Sequence, residues 1–344
     1  MPSSTAWLTE PGRPPSRASG WLPAALNGGH AYRDRVDRPW PSVVGYYAAH
    51  YGHSEESIWR QRLAAGEIHC NGQRLQADAP LAAGDQLVWH RPPWREAAVP
   101  VLHQSAIVFD DGDLLVLDKP SGLPVLPAGG FLRHTLLAQL EVLAAGAPRP
   151  VHRLGRFTSG LLVCARRPAT RAWLSAQLRD STRADPAASA GPAPCQKLYR
   201  ALTIPLPDPW TPGSTETLTS PIGRRPHPLL GEIWCGLSPG QGAGLPAHSR
   251  FTLLQRRPES CLVEVAIATG RPHQIRIHAA CLGAPLLGDP LYGPCGEARP
   301  DALPGEGGYW LHAHRLDLLR PEGSRLELEA SPPPELVWAA EPLP

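Results

Sequence analysis

An α+β fold, built on a mixed, mostly antiparallel sheet with flanking helices and preceded by a small α/β module, is the architecture this sequence predicts. Three observations carry that reading. From residue 101 onward strand patterns outnumber helical ones and do not alternate with them, which argues against a parallel βαβ sheet. Before residue 95 two short helical patterns precede an Asn-Gly pair, and the Pro-interrupted segment RPPWREAAVP (91–100) separates the two textures. The 344 residues exceed what one small core organises, so about two domains are expected.

Each element follows in order. Residues 1–40 are rich in Pro, Gly and Ser (TEPGRPPSRASG) and predict an irregular N-terminal arm. Residues 41–95 predict the small module. SVVGYYAAHY and EESIWRQRLAAGE read as helices, the second with Ile58, Leu63 and Ala64 recurring on one side. IHCNGQRL carries the hairpin signal, and LAAGDQLVWH supplies another turn and strand. Arg60, Arg62 and Arg74 put positive charge on this module. Residues 96–330 form the main domain. Its strands are read at SAIVFDDGDLLVLDKP, GLLVCAR, QKLYRALTI, SRFTLLQRR, SCLVEVAIATG and YWLHAHRLDLL, and its helices at RHTLLAQLEVLAA, ATRAWLSAQLRD and PHQIRIHAACLG. The Pro/Gly-rich segments 181–196 and 205–247 predict long surface loops, and SPPPELVWAAEPLP (331–344) a tail.

Composition excludes several classes. The net charge is +2, from 33 basic and 31 acidic residues, so nothing demands a polyanionic partner overall, although local patches can bind one. Only Lys119 and Lys197 are lysine; arginine is so dominant that a single arginine says little, whereas the two lysines gain weight. The seven cysteines (70, 164, 195, 235, 261, 281, 295) include no CxxC pair, which argues against a paired-cysteine zinc site and suits a reducing cytoplasm. No stretch approaches about 20 apolar residues, so membrane spanning is not expected.

Four segments are polar where a core element should be apolar. They are DKPSGLPV (118–125), PVHRLGRFTSGLLVCAR (150–166), QKLYRAL with Lys197 and Tyr199 on one strand face, and TGRPHQIRIHAACLGAPLLGDPLYG (269–293). His273 and His278 are five apart, off the spacing at which two imidazoles on a helix grip a metal; His312 and His314 share a strand face but have no evident third ligand. No metal is expected. Arg276, between Ile275 and Ile277, has a stem that reads as buried, and a buried guanidinium needs an anionic partner or several acceptors.

Together these segments resemble the RNA pseudouridine synthases of the RluA type, over roughly 100–320. The family pattern H-R-L-D-x-x-T-S-G falls on His152–Gly160, K-x-Y on Lys197 and Tyr199, T-G-R-x-H-Q-I-R-x-H on Thr269–His278, and G-D-P-L-Y-G on Gly288–Gly293. Residues 41–95 are similar, less closely, to the S4-type RNA-binding domain. The resemblance implies isomerisation of uridine to pseudouridine in ribosomal or transfer RNA, with the target base flipped out and neither metal nor organic cofactor used. It implies catalytic positions at 155, Tyr199 and Arg276, with the family's arginine paired to its aspartate.

One position departs: residue 155 is Gly where the family carries the aspartate. Glycine can neither attack the sugar nor accept a proton usefully, and losing such a group costs an enzyme several orders of magnitude in rate. Three readings follow. In the first the chain is a synthase whose carboxylate comes from elsewhere or whose mechanism departs from the family's. In the second it is a catalytically impaired member acting as an RNA-binding protein. In the third it is a structural or partner-binding protein in which the cleft is vestigial. Asp118 and Asp289 already belong to other motifs and are not expected to be recruited, so Arg276 is expected to be wet or to face a bound phosphate or a loop carboxylate. Arg153, Arg156, Arg271 and His273 are the expected phosphate contacts, and Arg60 and Arg62 would widen the footprint. If the site is otherwise intact, Gly155→Asp should create or raise activity.

Overall fold

The computed structural model describes residues 20–180, 195–238, 243–303, 305, 307–320 and 323–339. The chain divides into two units, one of residues 24–97 together with 226–233, the other formed by the rest. Trp21–Leu22 (β1) belongs to the second unit, where it pairs antiparallel with 99–100.

The first unit begins with Ala25–Leu26 (β2) and His30–Arg35 (β3). Helix α1 (Val43–His50) starts where Ser42 Oγ accepts the Gly45 N–H at 2.9 Å, satisfying one of the amides a helix start leaves open. Helix α2 (Glu56–Ala64) follows, then β4 (Ile68–Cys70), β5 (Gln73–Arg74) and β6 (Gln86–Arg91). The sheet order is β3-β6-β4-β5. Asn71 and Gly72 sit at φ 51° and 83°, the left-handed pair that a two-residue turn of this hand demands. Val44, Tyr47, Trp59, Leu63, Ile68 and Leu87 close the core of this unit. Arg95–Glu96 (β7) pairs with β2. The irregular arm expected over 1–40 is therefore corrected over its second half. Short backbone ladders with 95–96, 99–100 and β6 order residues 21–35, and such pairings leave no trace in local composition. Residues 1–19 lie outside the described chain.

The second unit contains Val99–Pro100 (β8), Ile107–Asp110 (β9), Leu114–Lys119 (β10), α3 (Leu136–Leu143), Arg149–Pro150 (β11), Thr158–Ala165 (β12) and α4 (Pro168–Asp180). Then come Cys195–Thr203 (β13), Thr215–Leu218 (β14), Ile222–His227 (β15), Gly231–Gly236 (β16), Ser249–Arg257 (β17) and Ser260–Ile267 (β18), of which the end of β15 and the start of β16, within 226–233, count with the first unit. Helix α5 (Gln274–Cys281), Leu311–Leu319 (β19) and Arg325–Glu329 (β20) follow. Ten strands join one sheet, in the order β14-β17-β18-β13-β19-β12-β10-β9, with β11 on β12 and β20 on β19. Its pairs are antiparallel except β12–β19, where Thr158–Gly160 run parallel to Leu311–Ala313. The mixed, mostly antiparallel α+β architecture is thus observed.

That single parallel pair positions the site. Strands entering in the same direction bring the loops before them to the same end of the sheet, so residues 152–157 and Tyr309 meet. Gly160 makes the pairing possible: at φ 95°, a Cβ there would lie 2.3 Å from the Ala313 carbonyl oxygen. Every residue of β12 is buried, which explains why it reads as a continuous apolar run rather than an alternating one.

Two expectations are corrected here. The segment 205–247 is not one long loop; it contains β14, which joins the main sheet, and the hairpin β15–β16. Prolines flanking short strands hid them. The tail is tied down through residue 337: Leu336 is buried beside Leu202 and Leu262, and Arg257 donates to the carbonyls of Glu335 and Val337. Most of the loop expected at 181–196 lies outside the described residues.

Candidate active site

The loop 152–157 is held from three directions. His152 Nε2 accepts the Val163 N–H at 3.0 Å, so the ring is neutral, and burial pushes its pKa down to about 3. Thr158 donates its N–H to the Gly155 carbonyl at 3.1 Å, closing the turn into β12. Lys119, fully buried at the end of β10, donates to the carbonyls of Pro120, Leu123 and Arg156 at 2.9, 2.9 and 3.0 Å. One ammonium thereby ties the DKPSG turn to the loop, a structural role for a residue that stood out in the sequence only by its rarity.

Opposite this loop, α5 starts at His273, which takes the left-handed conformation at φ 56°. Gln274 fixes the turn before it. Its Oε1 accepts the Thr269 hydroxyl (2.6 Å) and the Arg271 N–H (3.0 Å), while Nε2 donates to the His248 carbonyl and Ser249 Oγ. His273 Nδ1 meets the Tyr292 hydroxyl at 2.7 Å, and burial, helped by Arg276, holds its pKa near 3. At neutral pH His273 therefore offers a hydrogen bond and no charge.

Between loop and helix lies a cleft of about 240 Å³ whose lining includes Arg153, Gly155, Tyr199, Arg271, His273 and Arg276. The structure brings these six of the residues singled out in the sequence together around one cleft. Tyr199 reaches the cleft beside a bulge between Leu198 and Tyr199 in the β13–β19 pairing, and burial raises its pKa, so it is a neutral phenol. Lys197 lines the same cleft, with its pKa lowered by burial.

Arg156 does not join them. Its guanidinium donates to the carbonyls of Gly122 and Gly305 and lies over the rings of Phe131 and Phe157, bracing loops instead of facing the cleft. Arg60 and Arg62 belong to the other unit: Arg60 pairs with Glu56 on the surface of α2, and Arg62 lies over Trp59 and Trp89 at 4.2 and 4.4 Å.

Of the surroundings expected for Arg276, the loop carboxylate is the one found, and the exclusion of Asp289 is what is corrected. Arg276 is neither wet nor waiting for a bound phosphate: Nε and Nη2 each donate to Asp289 at 2.7 Å, with 3% and 0% of the two side chains exposed. Burial works against its charge, but the two bonds to Asp289 outweigh it and raise its pKa. Asp289 Oδ1 also accepts the Leu291 N–H at 2.9 Å, so the GDPLYG turn itself presents the carboxylate. Asp289 was set aside because it belongs to that motif, and its closure on Arg276, thirteen residues earlier, is decided by the fold of the turn.

A second residue escaped sequence reasoning altogether. Tyr309, only 5% exposed, lines the cleft with its hydroxyl 3.3 Å from Thr158 Oγ1 and the Arg276 guanidinium 4.4 Å over its ring. A Cβ on Gly155 would fall 2.3 Å from that hydroxyl. An aspartate does not fit at 155 while Tyr309 stays where it is, so the expected gain from Gly155→Asp alone is withdrawn. Tyr309 also lines a neighbouring cavity of about 360 Å³ that holds Asp118, Lys119 and His312. There burial raises Asp118 to about 6.

The histidines weighed as ligands have other partners. His278 contacts Ser249 Oγ and the Ser220 carbonyl, and His312 contacts Ser159 Oγ and the Ala330 carbonyl, which His314 also reaches. No cluster of three or more His, Cys, Asp or Glu side chains suited to a metal occurs among the described residues.

Known proteins resemble this chain over most of its length. Residues 113–281 match the RNA pseudouridylate synthase family. An uncharacterized RNA pseudouridine synthase of Synechocystis sp. is 40% identical over 86% of this chain and 95% of its own length. RNA pseudouridine synthase 5 of Arabidopsis thaliana is 34% identical over 89% and 92%, and ribosomal large subunit pseudouridine synthase D of Neisseria meningitidis 31% over 92% and 79%. The human RNA pseudouridylate synthase domain containing 1 shares the fold, with a TM-score of 0.50 and 24% identity over 67% of this chain and 86% of that one. With relatives 31–40% identical that span most of both chains, the chain belongs to the RluA-type RNA pseudouridine synthases and is an isomerase.

Proposed function

We propose that this cleft receives a uridine extruded from structured ribosomal or transfer RNA and converts it to pseudouridine. The N1–C1′ bond breaks, the base turns, and C5 bonds to C1′; no cofactor is called for, since no atom is gained or lost. Tyr199 supplies the aromatic face for the base, and Arg276, pinned by Asp289, orders the wall beside position 155. Arg153 and Arg271 contact the flanking phosphates, with His273 as a neutral hydrogen-bond partner. The observation that carries this reading is the convergence of Tyr199, Arg276, Arg153 and Arg271 on one small cleft, with room for a single flipped nucleoside and none for a duplex.

The unit of residues 24–97 we read as an S4-like RNA-binding module that widens the footprint through Arg60 and exposed neighbours. Its two helices followed by a hairpin sheet support this. We also place the protein in the cytoplasm, on the strength of six free cysteines dispersed through the described chain.

The test is pseudouridine mapping in total RNA from a deletion strain of the source organism. Wild type should restore discrete sites in ribosomal or transfer RNA, and Tyr199→Phe should not. Restoration only in another RNA class would refute the substrate reading. RNA affinity should fall with salt, and Arg153→Ala or Arg271→Ala should each reduce the log–log salt slope by about one.

A further inference from the structure

The cleft poses a chemical question that its motif residues leave open. Breaking the N1–C1′ bond develops positive charge on the ribose, and no aspartate or glutamate lines the cleft among the described residues. Asp289 is not available. Its side chain is fully buried, and its two oxygens are taken by Arg276, one of them also by the Leu291 N–H. Asp118 lines the neighbouring cavity instead.

The position of the missing carboxylate is nevertheless occupied by oxygen. The Tyr309 hydroxyl lies 2.3 Å from where a Cβ of residue 155 would begin. Gly155 has no left-handed φ that would call for glycine, so space and not backbone conformation excludes a side chain there. The phenol is built in rather than incidental. Its ring packs in a buried cluster with Ile275 and Leu311, meets Phe157 edge-on at 6.0 Å, and carries the Arg276 guanidinium over its face. Arg276 is in turn fixed by Asp289. Among the described residues the hydroxyl has one partner at hydrogen-bond distance, Thr158 Oγ1 at 3.3 Å, which leaves a lone pair for a ligand in the cleft.

We propose that Tyr309 is a catalytic residue of this enzyme, its phenolic oxygen taking the place of the aspartate that Gly155 lacks. The inference rests on the reading of this cleft as the seat of isomerisation. The oxygen lone pair stabilises the cation at C1′ while the N1–C1′ bond breaks and its electron pair departs with the uracil. That pair returns through C5 when the C5–C1′ bond forms, and the proton displaced from C5 passes to N1. Gly155 and Tyr309 are then one device: the glycine exists to admit the phenol.

The experiment complements the deletion strain with wild type, Tyr309→Phe, Gly155→Asp, the double variant Gly155→Asp/Tyr309→Phe, and Tyr199→Phe. It measures pseudouridine formation at whichever sites wild type restores, with RNA affinity and thermal transition recorded for each protein. Tyr309→Phe should lose about 100-fold or more in rate, with affinity changed by about twofold or less. Gly155→Asp should also be inactive. The double variant should regain about tenfold or more over Tyr309→Phe, because removing the hydroxyl leaves Thr158 Oγ1 at 3.3 Å and ring carbon Cζ at 3.6 Å from the new Cβ, so that only the threonine hydroxyl has to give by a few tenths of an ångström. A merely structural tyrosine predicts no such rescue. The proposal is overturned if Tyr309→Phe keeps near wild-type activity while Tyr199→Phe is silent, if its loss only tracks the folded fraction, or if the double variant is no better than Tyr309→Phe. Near wild-type activity in both Tyr309→Phe and Tyr199→Phe would instead refute the cleft reading, and the inference with it.

Discussion

Replacing Asp289 by Asn removes one charge from a pair sealed in the second unit, and the cost can be worked from the contacts. The guanidinium of Arg276 stays charged and buried. Removing one partner of a buried pair costs about 3–5 kcal/mol. The faces of Tyr309 and Tyr292, 4.4 and 5.1 Å from the guanidinium carbon, are still there and recover none of the lost Coulomb attraction. Asparagine can keep the two bonds now made to Oδ1, from Arg276 Nη2 and the Leu291 N–H, but its amide nitrogen cannot accept from Arg276 Nε, so the retained bonds moderate the loss by about 1 kcal/mol. A net destabilisation of about 2–4 kcal/mol results. For a unit of this size each kcal/mol lowers Tm by about 2–4 °C, so a drop on the order of 10 °C is expected by calorimetry or circular dichroism. The paired replacement Arg276→Met/Asp289→Leu should melt above Asp289→Asn, since no orphaned charge is left. A drop under about 2 °C in Asp289→Asn, or a double replacement less stable than the single one, would refute the reasoning.

Acid should weaken the fold before its ordinary carboxylates titrate; Asp118, raised to about 6 by burial, protonates in the same range and offsets part of one histidine's share. His152 and His273 near 3 and His312 near 4 are all held below the ordinary histidine value of 6.5 by burial, so their contribution is complete above pH 6.5 and is lost as pH falls toward those values. Each removes up to about 1.4 kcal/mol per pH unit, so Tm should fall measurably between pH 6.5 and 5, and an unchanged Tm there would contradict the assignment. Lys119→Met should destabilise by about 3 kcal/mol or more, because three buried carbonyls lose their donor, and should depress activity by loosening the loop that carries Gly155. In the other unit, Arg62→Ala should cost about 1–2 kcal/mol in urea unfolding through its contacts with Trp59 and Trp89, whereas Arg60→Ala should cost about 0.5 kcal/mol or less and show itself in the salt dependence of RNA binding.

Much of the fold and most of the cleft was legible from the chain, and the parts that were not share a cause. Helices α1, α2, α3 and α5 fall inside the segments whose apolar spacing predicts them, α4 starts one residue ahead of its segment at Pro168, and the Asn71-Gly72 turn adopts the backbone its residues favour. These are local facts, decided within a few residues. The short strands β14, β15 and β16 were missed because their partners, not their own composition, make them strands. Arg156 was misread because its motif neighbours face the cleft while its own side chain turns to the carbonyls of Gly122 and Gly305.

The sequence by itself determined the α+β class, the family and the set of side chains that could meet in a cleft, since motif spacing and periodicity are properties of short stretches. Only the tertiary structure decided what faces what. Asp289 closes on Arg276 because the GDPLYG turn folds back against α5, and Tyr309 reaches Gly155 because β12 and β19, distant in the chain, run parallel in one sheet. Thr158 and Tyr309 are 151 residues apart, and no local pattern encodes a contact over that distance. Glycine at 155 looked like a catalytic group deleted. In the folded protein it is the space that another residue's oxygen fills.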